Sequence, residues 1–300
     1  MSKKGEDKMK KTFILLSSLI LLFLAACGSA SGEGTEGKDG ETVKVKIGVN
    51  GSDGAQWPIL KEKAAKEGIE IELIEFADYT LPNNALAQGD VDINAFQHFT
   101  FLAQYVKESG NDLYPIGSTM FAPLGVYSEK ISDPSEIKKG DKIAIPDDPS
   151  NQARALRLLE SAELITLTDD FGMFDDPSKI AENPLDLEII PMTAQQTPRV
   201  LPDVAASVIN NGVAGQAGFN PAEDPIFRES ADDESIYPYV NLLAVKAEDK
   251  DKEVYKRIAE LYQEADIEKA VLEDTNGGSI LVKLTDEEIE KVFNNLKSSE

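Results

Sequence analysis

Between positions 43 and 49, Val43, Val45, Ile47 and Val49 alternate with Lys44, Lys46 and Gly48, the period of a half-buried strand. The stretch 57–67 carries apolar residues at helical spacing and stops at Gly68, so it predicts a helix. Ile69, Ile71 and Leu73 alternate with Glu70 and Glu72 in a second strand. A turn after residue 86 leads into a third strand over 91–96, and a helix follows over 99–109. A second unit opens after Pro123 with a strand over 142–146, a turn and helix cap over 147–151, and an amphipathic helix over 152–164. Further strands are expected over 187–190, 204–209 and 239–245, and charged amphipathic helices over 249–264 and 286–297. No repeat of 20–50 residues interrupts this rhythm. Strands alternating with helices predict an α/β protein with a largely parallel sheet.

The amino-terminal end follows another logic. Lys3, Lys4, Lys8, Lys10 and Lys11 precede an apolar run over 13–26, broken only by Ser17 and Ser18. The run is short for a membrane span of about 20 residues but suits the core of a secretory signal. A start at Met9 serves as well as one at Met1. The run ends in Leu24-Ala25-Ala26-Cys27, which resembles a bacterial lipobox. There, peptidase cleavage before the cysteine follows attachment of a lipid to its thiol. Residues 1–26 are therefore expected to be a lipoprotein signal peptide, and 27–42 a lipidated Cys27 with a flexible tether. Within the tether Gly32, Gly34 and Gly37 spell a dinucleotide-binding fingerprint, and 32–38 nearly spells a phosphate loop. Neither follows a strand or opens a helix, and Asp39 stands where a hydroxyl would ligate magnesium, so both are rejected.

Charge narrows the choice. The chain has 30 Lys and Arg against 54 Asp and Glu, a formal net of -24. Such a surface repels phosphate backbones and excludes nucleic acid as a partner. Removing 1–26 takes away five bases and two acids and leaves 25 against 52, so no basic patch holds the mature chain to a membrane. The diacylglycerol on Cys27 must do it, and its two chains suffice; an amino-terminal acyl group such as palmitate would add a third. One cysteine excludes an internal disulfide, and one histidine excludes paired-His zinc motifs. No metal or other cofactor is expected. Catalysis finds little footing: Gly51-Ser52-Asp53-Gly54 lacks the spacing of a nucleophile elbow, and Asp169-Asp170 and Asp175-Asp176 match no calcium loop. A non-enzymatic solute receptor leads. An exported α/β hydrolase and an adhesin that retains a receptor fold are the alternatives from other classes.

Several stretches carry a more specific likeness: 76–83 (FADYTLPN), 90–98 (DVDINAFQH) and 145–154 (IPDDPSNQAR), with Glu182-Asn183-Pro184, Thr197-Pro198-Arg199, Val208-Ile209-Asn210 and Tyr239-Val240-Asn241-Leu242. In this order they resemble the methionine-binding lipoprotein or NlpA family, the substrate-binding components of methionine-type ABC importers. The resemblance implies a two-lobed periplasmic-binding-protein fold (type II-like) with the ligand clamped between lobes. Lobe one would comprise 43–123 plus 240–300, and lobe two 124–239. It also implies an ABC importer permease as partner and an extracytoplasmic place on the cell membrane. The glycine-rich tether and lysine-led signal favour the single membrane of a Gram-positive cell.

Enclosing a free amino acid desolvates a carboxylate and an ammonium, so each needs hydrogen-bonded partners. By the resemblance Arg154 takes the carboxylate with its two-pronged guanidinium. Asn210 and Asn241 bind the ligand's backbone groups, and Tyr79 and His98 border its side chain, with Phe96 as a further candidate. An apolar, aromatic pocket suits a thioether. The sequence departs from the family pattern twice. Phe99-Thr100-Phe101-Leu102 replaces K-P-Y-L after His98, and Asn211-Gly212-Val213-Ala214 replaces T-T-Y-A or G-N-Y-A, losing an aromatic beside the cleft. L-Methionine is therefore the leading ligand, with a methionine-containing dipeptide or another apolar amino acid as the alternative.

Overall fold

The computed structural model describes residues 42–231 and 234–299. The signal, Cys27 and the tether up to residue 41 lie outside the described residues. In chain order the elements are β1 (Val43–Val49), α1 (Gln56–Lys66), β2 (Ile69–Glu75), α2 (Pro82–Gln88), β3 (Ile93–Asn94), α3 (Phe99–Ser109) and β4 (Leu113–Phe121). Then come β5 (Gly125–Tyr127), β6 (Lys142–Pro146), α4 (Pro149–Ser161), β7 (Thr166–Leu167), β8 (Ile180–Glu182), β9 (Glu188–Met192), β10 (Ala206–Ile209), α5 (Asn211–Gln216) and β11 (Phe227–Arg228). The chain closes with β12 (Val240–Lys246), α6 (Glu253–Tyr262), α7 (Ala265–Asp274), β13 (Ile280–Leu281) and α8 (Asp286–Ser298).

The strands form two main sheets and a small β7–β8 ribbon. One sheet has the order β13-β4-β12-β3-β1-β2, the other β11-β5-β10-β6-β9. Neither is largely parallel, which corrects the expectation from the alternating pattern. The β1–β2 and β1–β3 pairs are parallel, with Val43 opposite Ile69, but β12 runs antiparallel to both β3 and β4. In the second sheet β6 is parallel to β9 and β10, whereas β5 is antiparallel to β10 and β11. A chain that returns to its first sheet at β12 enters from the other direction, and this makes the sheet mixed.

β12 is central and buried on both faces, as its near-continuous apolar run requires. Leu243 and Val245 join one core with Trp57, Leu60, Ile258 and Val271 of helices α1, α6 and α7. Val240, Leu242 and Ala244 face the opposite core with Phe99, Leu102, Ile289 and Phe293 of α3 and α8. A third core packs Leu156 and Leu159 of α4 against Ile143, Ile145 and Val208.

Several short elements and helix α7 add to those expected, and two departures shape the first sheet. The strand foreseen over 91–96 is only two residues long, because α2 occupies the preceding segment and Phe96 to His98 turn off to cap α3. The nine-residue β4 has no counterpart in the sequence pattern, which Pro115 and Gly117 break. Gly117 is required there: a Cβ would stand 2.8 Å from that of Ala259 on α6.

Candidate functional site

A cavity of about 530 Å³ lies beside the segments that follow β1, β3 and β10 and the amino-terminal turn of α4. Sites at the carboxyl ends of strands are usual in open α/β sheets, and the volume suits a small ligand. All six residues singled out by resemblance line it: Tyr79, Phe96, His98, Arg154, Asn210 and Asn241. They come from distant parts of the sequence. The fold joins them directly at His98 and Asn241, whose backbones form an isolated antiparallel bridge.

A polar chain runs along one wall. Asp148 caps α4, accepting from the backbone N–H of Asn151 at 3.0 Å and from Asn151 Nδ2 at 2.9 Å. Asn151 Oδ1 accepts from His98 Nε2 at 3.2 Å and from Asn210 Nδ2 at 2.8 Å. His98 also caps α3, because its Nδ1 accepts from the Phe101 N–H. Burial, then the Arg154 charge, push its pKa down to about 3. The ring is therefore neutral and carries its proton on Nε2. Asn210 Oδ1 is buried with no hydrogen-bond partner among the described residues. Behind this wall Asn83 and Gln97 exchange two amide hydrogen bonds of 2.7 Å, and Asn94 Nδ2 donates to Asn83 Oδ1 at 3.1 Å. Three residues of the resemblance motifs thus support the backbone that carries His98.

Arg154 sits differently from the expected open fork. Its side chain is 4% exposed, and it already holds a carboxylate. Nε donates to Glu229 Oε1 at 2.8 Å and Nη2 to Glu229 Oε2 at 2.5 Å, while Nη2 also reaches the Ala122 carbonyl at 3.0 Å. The guanidinium lies 4.6 Å from the Tyr239 ring centre and 5.6 Å from that of Phe121. The paired bonds expected for a ligand are made to Glu229, a residue 75 positions away that no motif marked. Glu229 Oε2 also accepts from the Leu124 N–H at 2.7 Å. Ala122 and Leu124 lie in one passage between the sheets, Glu229 and Tyr239 in the other, so Arg154 ties both crossings to α4.

An aromatic cluster adjoins the polar chain, with the Phe101 and His98 ring centres 6.2 Å apart. Tyr79 and Phe96 have ring centres 6.1 Å apart, and Phe101 meets them edge-on at 6.1 and 5.8 Å. Phe101 stands where the family carries the tyrosine of K-P-Y-L, so the departure there keeps the ring and loses only the hydroxyl. The second departure supplies bonds between the sheets. Asn211 Nδ2 donates to the Gly278 carbonyl at 3.1 Å, and Ser279 Oγ donates to Asn211 Oδ1 at 3.3 Å. Nearby, Gln216 Nε2 donates to the Asn50 carbonyl at 3.2 Å.

Three of the four aspartates in the acidic pairs have local work. Asp170 binds Lys179 at 2.6 Å, Asp175 accepts from the Gly172 N–H, and Asp176 caps a short helical turn at Ser178.

Comparisons with known proteins agree with this architecture. The D-methionine-binding lipoprotein MetQ of Salmonella typhimurium is 40% identical over 275 residues, which span 90% of this chain and 97% of that protein. A nutrient-binding protein from Burkholderia cenocepacia, solved bound to methionine, superposes with a TM-score of 0.75 at 38% identity, covering 80% of this chain and 99% of that one. An ABC transporter periplasmic substrate-binding protein from Coxiella burnetii gives 0.74 at 36% identity, covering 79% and 100%. The fold is thus the mixed α/β fold of the periplasmic substrate-binding proteins. The model of the NlpA lipoprotein family matches residues 45–282, and the chain belongs to that family.

Proposed function

We propose that this chain is the lipid-anchored extracytoplasmic receptor of an ABC importer, and that it takes methionine or a close relative into the cavity between its two sheets. The observation that carries this reading is the meeting of two chemistries in one cavity. Arg154 and Asn210, whose Oδ1 is unpartnered among the described residues, line it together with the Tyr79–Phe96–Phe101 rings. A carboxylate approaches Arg154 at Nη1, since Nε and Nη2 are engaged by Glu229 and Ala122. The ammonium meets Asn210 Oδ1, Asn241 completes the backbone recognition, and the thioether lies among the rings. His98 serves as an uncharged brace.

The two lobes of the proposal are 43–123 plus 240–300, and 124–239, with Arg154 and Asn210 in one and Asn241, Tyr79, Phe96 and His98 in the other. Closure on the ligand then brings both sets of contacts together, and the ligand leaves unchanged for the permease. Cys27, carrying diacylglycerol, provides the membrane attachment. The names of the relatives and of the methionine-bound neighbour support methionine over other apolar amino acids.

The test is mass spectrometry of whatever is released on denaturing freshly purified protein. It is followed by thermal melting of the emptied protein against the twenty amino acids and methionine dipeptides. A ligand that binds only the native state stabilises by about 2.7 kcal/mol at a hundredfold excess over Kd. One narrow group of hits centred on methionine is expected, and a flat panel overturns the reading.

A further inference from the structure

We infer that Asp148, which does not itself line the cavity, fixes the orientation of the Asn210 amide so that the cavity presents a pure acceptor and selects ligands with a free amino group. The inference rests on the amino-acid reading above and goes one step further, to what sets its selectivity.

The series of hydrogen bonds starts at Asp148, which stands at its head as an acceptor. Burial raises the pKa of the Asp148 carboxyl, yet each of its side-chain contacts is one it accepts. Asp148 receives the Ser150 hydroxyl at 2.9 Å, the Asn151 N–H at 3.0 Å, and Asn151 Nδ2 at 2.9 Å on Oδ1 and 3.1 Å on Oδ2. Asn151 must therefore turn its amino group towards Asp148 and its carbonyl oxygen away. That oxygen needs donors. His98 supplies one: the Phe101 N–H occupies Nδ1, so the neutral ring holds its hydrogen on Nε2 and directs it to Asn151 Oδ1. Asn210 supplies the other through Nδ2. Once Nδ2 of Asn210 is committed, its carbonyl oxygen has only the remaining direction. Asn210 is 8% exposed and lines the cavity, and its Oδ1 lacks a partner among the described residues.

A buried acceptor is satisfied by a donor and best by a charged one. An ammonium fits. An N-acyl group blocks the approach with its own carbonyl, and a deaminated analogue leaves the oxygen unpaired. Reversing one amide in the series would reverse the next, and Asn210 would then show the cavity a donor that repels an ammonium. Asp148 is thus a positioning residue acting through Asn151.

His98 is the sole histidine in the chain, which makes the series directly observable. Protein labelled with ¹⁵N-histidine and freed of ligand should give one neutral species, protonated at Nε2 and bare at Nδ1, unchanged from pH 8 to 5. An Nδ1-protonated ring, or titration near pH 6.5, overturns the inference without any variant. Calorimetry with L-methionine, N-acetyl-L-methionine and 4-(methylthio)butanoate supplies the second arm. Wild type should bind methionine and lose about tenfold to a hundredfold or more with either analogue. Asp148→Asn keeps a good helix cap but can present an amino group to Asn151. It should weaken methionine by a similar factor and narrow the gap to 4-(methylthio)butanoate. Equal binding of the three compounds to wild type, or full discrimination in folded Asp148→Asn, overturns the inference. Failure of wild type to bind methionine at all overturns the amino-acid reading instead. Should Asp148→Asn not fold, the histidine spectrum and the wild-type titrations decide.

Discussion

Glu229 meets Arg154 with both carboxylate oxygens, at 2.8 and 2.5 Å, where the chain crosses between its two sheets. A guanidinium so placed has two duties, because it lines the cavity and also joins the crossing segments through Ala122 and Tyr239.

The two duties separate by mutation. Arg154→Ala should cost about 3–5 kcal/mol of stability, because it strands a carboxylate that is only 16% exposed. It should also lower ligand affinity by about 2–5 kcal/mol, roughly thirtyfold or more. Adding Glu229→Gln removes the stranded charge, so the double variant should recover much of the stability and none of the affinity. Urea unfolding and calorimetry on the same samples check both halves. Asn241→Ala should weaken binding by about 1.5–3 kcal/mol for each bond to a charged group, and Arg154→Lys should rescue only in part.

Loss of the bonds between Asn211 and the Gly278–Ser279 segment should act on closure rather than on recognition. Asn211→Ala is expected to raise Kd by about 1 kcal/mol or slightly more, mostly through faster release, with the order of ligand preference unchanged. Stopped-flow dissociation measures it. A slower association rate with unaltered release would contradict this assignment.

Phe101→Ala should weaken a thioether ligand by about 0.5–1.5 kcal/mol, the worth of its ring contacts. Phe101→Tyr, which restores the family residue, should stay within a factor of three. Titration of both against methionine checks the aromatic cluster.

His98 gives stability a pH dependence of known sign. Its folded pKa, about 3, lies below the unfolded value of about 6.5. Stability from the buried neutral ring is therefore complete above the unfolded pKa and declines as pH falls towards the folded one. Between pH 7.5 and 5 the loss should be about 2 kcal/mol. His98→Asn, which retains a capping side chain, should be less stable at pH 7.5 yet flatter across this window. Denaturant midpoints at four pH values decide it.

Cys27→Ser should abolish lipid incorporation and yield unprocessed or released protein, since the acidic mature chain offers no other attachment. Labelling with a radioactive or clickable fatty acid that persists in the variant would refute this.

Much of the fold follows from local pattern. The alternation of β1 and β2 and the amphipathic stripes of α3 and α8 reflect burial on one face, which a sequence displays directly. β4 escaped because its partners, β12 and β13, bury it irrespective of the breaks at Pro115 and Gly117. Tertiary pairing there overrides local preference. At the site, resemblance located the six lining residues but not their partners. Glu229 lies 75 positions from Arg154 in an unremarkable segment, and only the fold brings it near. The role of Asp148 was hidden for a different reason: a helix cap and the head of a hydrogen-bond series look alike until the orientation of each amide is known. Phe101 carried a visible signal, an aromatic retained at a family aromatic position, and Asn151 stood within the motif stretch 145–154.

The place of β12 also sets an order of assembly. It lies between β3 and β4 and is antiparallel to both, yet it is made after every strand of the second sheet. As the chain emerges amino-terminus first, residues 125–228 can complete their sheet while β3 and β4 still lack their shared neighbour. The first sheet must therefore wait, with apolar edges open, for a segment nearly 120 residues downstream of β4. A product ending before Val240 would hold one finished sheet and one that cannot close. Such long-range pairing folds slowly, and the interval before Val240 arrives is when this protein is most exposed to aggregation and proteolysis.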